Sequence, residues 1–506
     1  MKKKPFLISV VSFAFFSVLL LVGVLFVQFK VLIVGDGFQF TNIQDAVDAS
    51  NPGDIILVTS SLSPYEDDVN ITNKNQLKII GLGKPVLDGS TLAPGTNGIT
   101  ISNSSRIRIQ GLTIQKYRFN GFTGGGILVE NSSNNNLFVK NKLRDNEGEG
   151  FLAFESTRNT LLKNEVTSSG DHGIRSDISQ NDVLIGNKSI ENAAFGILIN
   201  SPNSLGIGNK AIGNEGGGID VEDKTIFIGN ELVENSGNDN FDVDGDRNIL
   251  VGNTLVRNID DAFNLDGNFN IVIGNKAIEN TEAGFIIDDN QHNNVVIGNQ
   301  SINNLQDGIL VDDEAFDNIV MGNVFIGNKE DGISIGDLTH NNTFKGNTVI
   351  GNARGIFIRN NDSTFDQENN IVRNKIVRNV GAGVFFEGAT GNTIQNNKID
   401  KNGVGISLSP QAPTLAQKNV ITKNSIVRNK GDGIIFEESI DNTIQKNKIN
   451  GNEANGILLD VNSTDNRVLF NRAFKNVLID IRDDDDNFFE GNKCGTSLGG
   501  NVDCPN

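Results

Sequence analysis

An asparagine returns every 21 to 27 residues through about 350 residues of this 506-residue chain. It stands at Asn141, Asn164, Asn187, Asn209, Asn230, Asn253, Asn275, Asn299, Asn323, Asn347, Asn374, Asn397, Asn424, Asn447, Asn471 and Asn492. In fourteen of these sixteen units a second asparagine follows five residues later, as in Asn275/Asn280. A unit this short cannot bury its own apolar face, so the period requires units stacked as a solenoid.

Each unit reads as three short strands. An i, i+2 apolar pair precedes the first asparagine (Ile271 and Ile273, Val295 and Ile297), and another apolar residue lies between the two asparagines (Ile278, Ile302). A glycine then opens a second pair, as in Gly308-Ile309-Leu310-Val311. Period two is strand geometry, and there is no room for a helix between strands. Successive coils must therefore pair in parallel. Asparagine suits the corners because it tolerates left-handed backbone and its amide can bond the equivalent amide one coil away. Glycine supplies positive φ where a side chain would clash.

The unit N-x-φ-x-x-N followed by G-I-x-φ resembles the right-handed parallel β-helix repeat of the pectate-lyase-like superfamily, in its NosD-like branch. The likeness covers residues 31–482, and Ile33 to Val58 resembles the starting cap of such helices. It implies an all-β, single-stranded right-handed parallel β-helix; the repeat count sets it at about 20 coils, and an N-terminal apolar helix and end caps are expected with it. At ~4.8 Å per coil the rod is ~95 Å long. The fold hosts lyases, hydrolases, epimerases, adhesins and inert shafts, so it leaves activity open.

The expected organisation has three parts. Residues 1–30 carry Lys2-Lys3-Lys4 before an uncharged run from Pro5 to Phe29. As a helix that run spans ~37 Å, enough to cross a bilayer. It reads as a signal-anchor, with a cleaved signal peptide as the alternative, and in either case the body is exported. The β-helix follows over 31–482, with a short cap helix near 42–50 that Thr41 or Asn42 can N-cap. Residues 483–506 form a C-terminal cap. There Cys494 and Cys504, the only cysteines, read as a disulfide, consistent with export.

The formal net charge of −19 argues against nucleic acid as a partner. The acids are ordered. Counting along the glycine strands aligns Glu222, Asp244, Asp266, Asp288 and Asp312 in five successive units, beside a shorter row of Asp220 and Asp242 with Asn264 next. Like charges ~5 Å apart repel by ~3 kcal/mol at an effective dielectric of 20 and by under ~1 kcal/mol in water. Such a column must splay into solvent, carry raised pKa values or hold cations, and calcium is the cation that oxygen ligands favour.

A second candidate is catalytic. His172, Arg175, Asp177 and Glu149 fall in aligned slots, and together they could move a proton on a uronate. However, the Asp-Pro-His-Asp signature of epimerases and the motif set of polygalacturonases are absent. His292 and His340 carry no assigned role. The lack of Trp, with Tyr65 and Tyr117 the only tyrosines, disfavours a sugar platform built on stacking. The NosD likeness raises copper, but three scattered histidines, two cysteines in a disulfide, Met1 and Met321 make a poor copper set. Long turns at Gln115 to Gly125, Asn360 to Asn370 and Ser409 to Lys418 could border a binding face.

Two readings follow. One is an envelope-associated, non-catalytic β-helix that offers an acidic, calcium-binding surface to polysaccharide or another surface partner. The other is a lyase, epimerase or hydrolase of acidic polysaccharide.

Overall fold

The computed structural model describes residues 29–121, 123–237, 239–362, 364–499, 502 and 504. The expected membrane helix therefore lies outside the described residues, except for Phe29. Among the described residues no helix is long and apolar enough to cross a membrane.

The chain winds as a right-handed parallel β-helix of about 20 coils, the sense that crossovers between parallel strands favour. From the third coil on, each coil contributes one strand to each of three sheets. The first sheet has 20 strands, running from Val31–Val34 to Phe488–Glu490. The second runs from Val86–Asp88 to Lys493–Cys494, and the third from Val69–Thr72 to Ser497–Leu498. Pairing is parallel and in register: Ile271 lies opposite Val295, which lies opposite Ile319. It continues past residue 482, where Phe488 pairs with Arg467 and Ser497 with Ile481.

Alternation puts one apolar stripe of every strand inside. Ile309, Val311, Ile333 and Ile335 are fully buried, and Phe241, Phe263 and Phe285 stack along the axis at 5.6 and 4.8 Å. Helix α1 (Ile43–Ala49) is N-capped by Asn42, whose side chain accepts the Asp45 amide at 2.7 Å. It buries Ile43, Ala46 and Val47 against the first coils.

The repeat asparagines form a continuous hydrogen-bonded ladder. The Asn275 amide donates to Asn299 Oδ1 at 2.8 Å, and Asn299 does the same to Asn323. The second asparagines repeat the pattern from Asn192 through Asn214 to Asn235. A third ladder, not expected from the sequence, runs before the first-sheet strands through Asn270, Asn294, Asn318 and Asn342.

Two details correct the corner chemistry. The left-handed residue is the one before each ladder asparagine, such as Gly274 (φ 65°), Arg373 (φ 57°) or Asn396 (φ 58°), and the asparagine supplies hydrogen bonds. The glycine that opens the third-sheet strand is needed for space. A Cβ on Gly308 would lie 2.4 Å from the Gly332 carbonyl oxygen.

Candidate functional site

The third sheet carries the acids. Ile219 and Val221 point into the core, so Asp220 between them faces outward. Register puts Asp220 opposite Asp242, and Asp242 opposite Asn264. Although they face outward, Asp220 is only 9% exposed and Asn264 only 7%. Side chains on the turns before and after the strands rise on both sides and make this face a shallow trough. Asp239 bonds Asn264 from one side, while Asp244 reaches Asp242 from the other.

Glu222, Asp244, Asp266, Asp288 and Asp312 form one wall. Their backbone amides donate in turn to the carbonyls of Ile199, Val221, Val243, Leu265 and Ile287, one coil earlier in each case. The five expected residues are therefore brought into a single column. Neighbouring turn acids join it, with Asp288, Asp289 and Asp312 offering oxygens within 4.8 Å of one another.

Burial and like charge act together on these carboxyls. Burial, then Asp244 and Asp220, push Asp242 up to about 9. Burial, then Asp244 and Glu222, push Asp220 up to about 7. Asp312 rises to about 6 through burial and then Asp313. Glu222 and Asp266 are also raised, burial being the first cause in both. A cation placed here would oppose both effects.

The catalytic candidates meet only in part. Arg175 pairs with Asp177 at 2.8 Å and with Glu149 at 3.6 Å. His172 turns instead toward Asp171, 3.5 Å away, and its ring lies 6.2 Å from Phe195. Burial lowers the His172 pKa and raises that of Glu149. The cavity beside Glu149, lined also by Asn97, Leu128 and Leu152, holds only about 20 Å³. A saccharide unit does not fit in it.

Sequence reasoning missed two features. One is a ring stack on the turn after the third-sheet strands. Phe269, His292, Phe316, His340 and Phe365 follow one another at centroid separations of 5.4, 4.7, 5.1 and 5.2 Å, beside a cavity of about 380 Å³. Their spacing matches the coil and was the available signal. The other is a buried Asp307–Asp331–Arg354 group. Arg354 grips Asp331 through both oxygens, at 2.7 and 2.8 Å, and lies over Phe357 at 3.8 Å.

Tyr65 and Tyr117 are both core residues; the Tyr117 hydroxyl donates to the Asp67 carbonyl at 2.6 Å. The long turns at 360–370 and 409–418 are tied together, with Thr414 donating to the Asn360 carbonyl at 2.8 Å. Cys494 and Cys504 form a disulfide.

The fold and its ladders define a right-handed parallel β-helix protein, and a family profile described as "Right handed beta helix region" matches residues 69–236. The profile described as "Periplasmic copper-binding protein (NosD)" matches residues 247–414 and 340–502, just over half of the chain. The chain belongs to the NosD family.

No curated protein matches the chain. Several solved structures do. The periplasmic alginate epimerase AlgG is 15% identical, with TM-score 0.31, covering 77% of this chain and 84% of its own. The surface protein and adhesin PfbA of Streptococcus pneumoniae is 12% identical, with TM-score 0.37, covering 73% and 100%. A mutant DFA-IIIase from Arthrobacter chlorophenolicus A6, in complex with DFA-III, is 12% identical, with TM-score 0.32, covering 55% and 86%. At these identities the likeness concerns the fold alone.

Proposed function

We propose that this chain is an exported, envelope-associated β-helix whose acidic face binds calcium and presents it to polysaccharide or another surface component, without catalysing a reaction. The observation that carries this reading is the column from Glu222 to Asp312. Five carboxylates stand in coil register beside a trough floor that holds two more. A rigid ladder fixes their spacing, so the repulsion that flexible side chains would relax is built into the surface. Hard cations with oxygen ligands suit such a face.

Envelope location accords with the word "periplasmic" in the family's description and with the apolar run Pro5 to Phe29 behind three lysines. That run acts here as an N-terminal membrane anchor. N-terminal sequencing of mature protein that began near residue 30 would contradict retention while leaving export intact.

The family's description names copper, and the donors in this chain do not fit it. Phe316 separates the rings of His292 and His340, His172 faces Asp171, and both cysteines are in the disulfide. Imidazole and sulfur ligands, which copper prefers, therefore do not converge among the described residues.

One observation favours catalysis instead, namely Arg175 held between Glu149 and Asp177. A panel of acidic and neutral polysaccharides, with and without calcium, separates the two readings. Calcium-dependent retention with no new unsaturated or reducing ends supports presentation. New chain ends that vanish in Arg175→Ala would establish the enzyme.

A further inference from the structure

We propose that Asp220, Asp242, Asp244 and Asn264 form a discrete site for one calcium ion in the floor of the trough. The proposal rests on the acidic-surface reading and narrows it from a column of charges to one set of ligands.

Three observations carry it. First, carboxylate oxygens of Asp220, Asp242 and Asp244 all lie within 4.8 Å of one another. Oxygens bound ~2.4 Å from a shared calcium ion can be at most ~4.8 Å apart, twice the bond length. Second, register stacks Asp220, Asp242 and Asn264 in one outward row on successive coils, with Asp242 in the middle and a neighbour on each side. Third, Oδ1 of each of these three residues is buried and has no hydrogen-bond partner. Buried acceptors without donors are rare in folded proteins and call for an explanation such as an ion.

The other two acidic triads lack this last feature. In the group of Asp239, Asp260 and Asp261, Asp261 Oδ1 accepts the Ala283 amide and Asp260 Oδ1 accepts the Asp261 amide. In the group of Asp288, Asp289 and Asp312, Asp288 Oδ1 accepts the Asp289 amide and Asp312 Oδ1 the Asp313 amide. Backbone donors already serve those oxygens. At the floor site none does, and the basic groups nearest in sequence are engaged elsewhere. Lys224 faces Asp223, and the Arg247 guanidinium lies over the Phe269 ring at 5.3 Å.

The ligand chemistry selects the ion. Three carboxylates and an amide oxygen, on a face open to water on its outer side, supply four protein oxygens and leave room for several waters. Calcium accepts six to eight oxygens in irregular arrangements. Magnesium requires a tight octahedron and keeps its own water.

Calorimetric titration of the whole protein with calcium chloride, and separately with magnesium chloride, tests the site. The wild type should show one calcium site tighter than the remaining surface binding, with magnesium weaker. Asp242→Asn should weaken that site by about tenfold or more, the equivalent of losing ~1.4 kcal/mol of binding. Circular dichroism checks that the variant stays folded, which the removal of a repelled charge favours. The double variant Asp288→Asn/Asp312→Asn should keep the tight site within about twofold. If Asp242→Asn titrates like the wild type while the double variant loses binding, the floor site is overturned and the acidic-surface reading stands. If the wild type itself takes up no calcium, both are overturned.

Discussion

Asn299→Ala tests the ladder on which every distance in the trough depends. Asn299 is fully buried. Its Oδ1 accepts the Asn275 backbone amide at 2.8 Å and the Asn275 side-chain amide at 3.1 Å. Its Nδ2 donates to the Val272 carbonyl at 2.9 Å and to Asn323 Oδ1 at 3.0 Å. After truncation, Asn275 Nδ2 still reaches the Leu250 carbonyl, and Asn323 Oδ1 still accepts the residue 299 backbone amide. The Asn275 amide loses its partner, while the Val272 carbonyl stays within the parallel ladder to the strand Val295–Ile297. One buried group left unpaired costs ~1–3 kcal/mol, so the variant should lose ~1–3 kcal/mol. Asn299→Asp restores the acceptor for Asn275 but turns an oxygen toward the Val272 carbonyl and Asn323 Oδ1, and should be no better than alanine. The outward-facing neighbour Gln300 is the control, with Gln300→Ala expected within ~0.5 kcal/mol of wild type. Urea unfolding followed by far-ultraviolet circular dichroism reads all three. A loss below ~1 kcal/mol in folded Asn299→Ala would refute the reasoning, because the ladder would then be decoration on a core that stands without it.

Further outcomes follow from the same geometry. Burial and then the Asp331 charge push Asp307 up to about 8 in the folded chain, against ~3.9 for an unfolded aspartate. The stability tied to its protonated form is thus full below ~pH 4 and lost as pH rises toward about 8, so Asp307→Asn should gain ~1–4 kcal/mol at pH 7 and almost nothing at pH 4. A melting difference independent of pH would contradict it. Phe316→Ala removes a ring stacked between His292 and His340, two contacts of ~0.5–1.5 kcal/mol each, and should lower the unfolding free energy by ~1–3 kcal/mol. Cys494→Ser opens a loop with a sequence separation of 10, a loss of ~2–3 kcal/mol by chain entropy, and hydrogen exchange should confine its effect to the last coils.

The fold was legible because coil length and strand alternation are one-dimensional quantities. The offset from Asn275 to Asn299 is the coil, and the offset from Ile271 to Ile273 is the pleat. The acidic column was legible for the same reason, since Glu222 and Asp244 are separated by one repeat. The trough floor was not, because period gives register but not depth. Asp220 and Asn264 are only 9% and 7% exposed, a depth that outward alternation along the strand does not foretell. Nor does a repeat reveal which oxygens find donors. Asp261 and Asp242 look alike in the sequence, yet the Ala283 amide serves one and no donor serves Oδ1 of the other. The corner chemistry was misplaced by one residue, because many residue types fill the left-handed position and only the asparagine beside it repeats. The ring stack was visible as spacing, but alternation of Phe and His concealed it from a search for one residue type.

Thermal melting in EDTA and in about 10 mM calcium tests the central claim, that the acidic face is a cation-binding surface. With a dissociation constant of ~0.1–1 mM, typical of exposed oxygen sites, one bound ion adds ~1.4–2.7 kcal/mol to stability. The melting midpoint should therefore rise by a few degrees, the gain should saturate with calcium, and sodium chloride of equal ionic strength should not reproduce it. Identical midpoints in EDTA and calcium would contradict the account, leaving the column from Glu222 to Asp312 a solvated face.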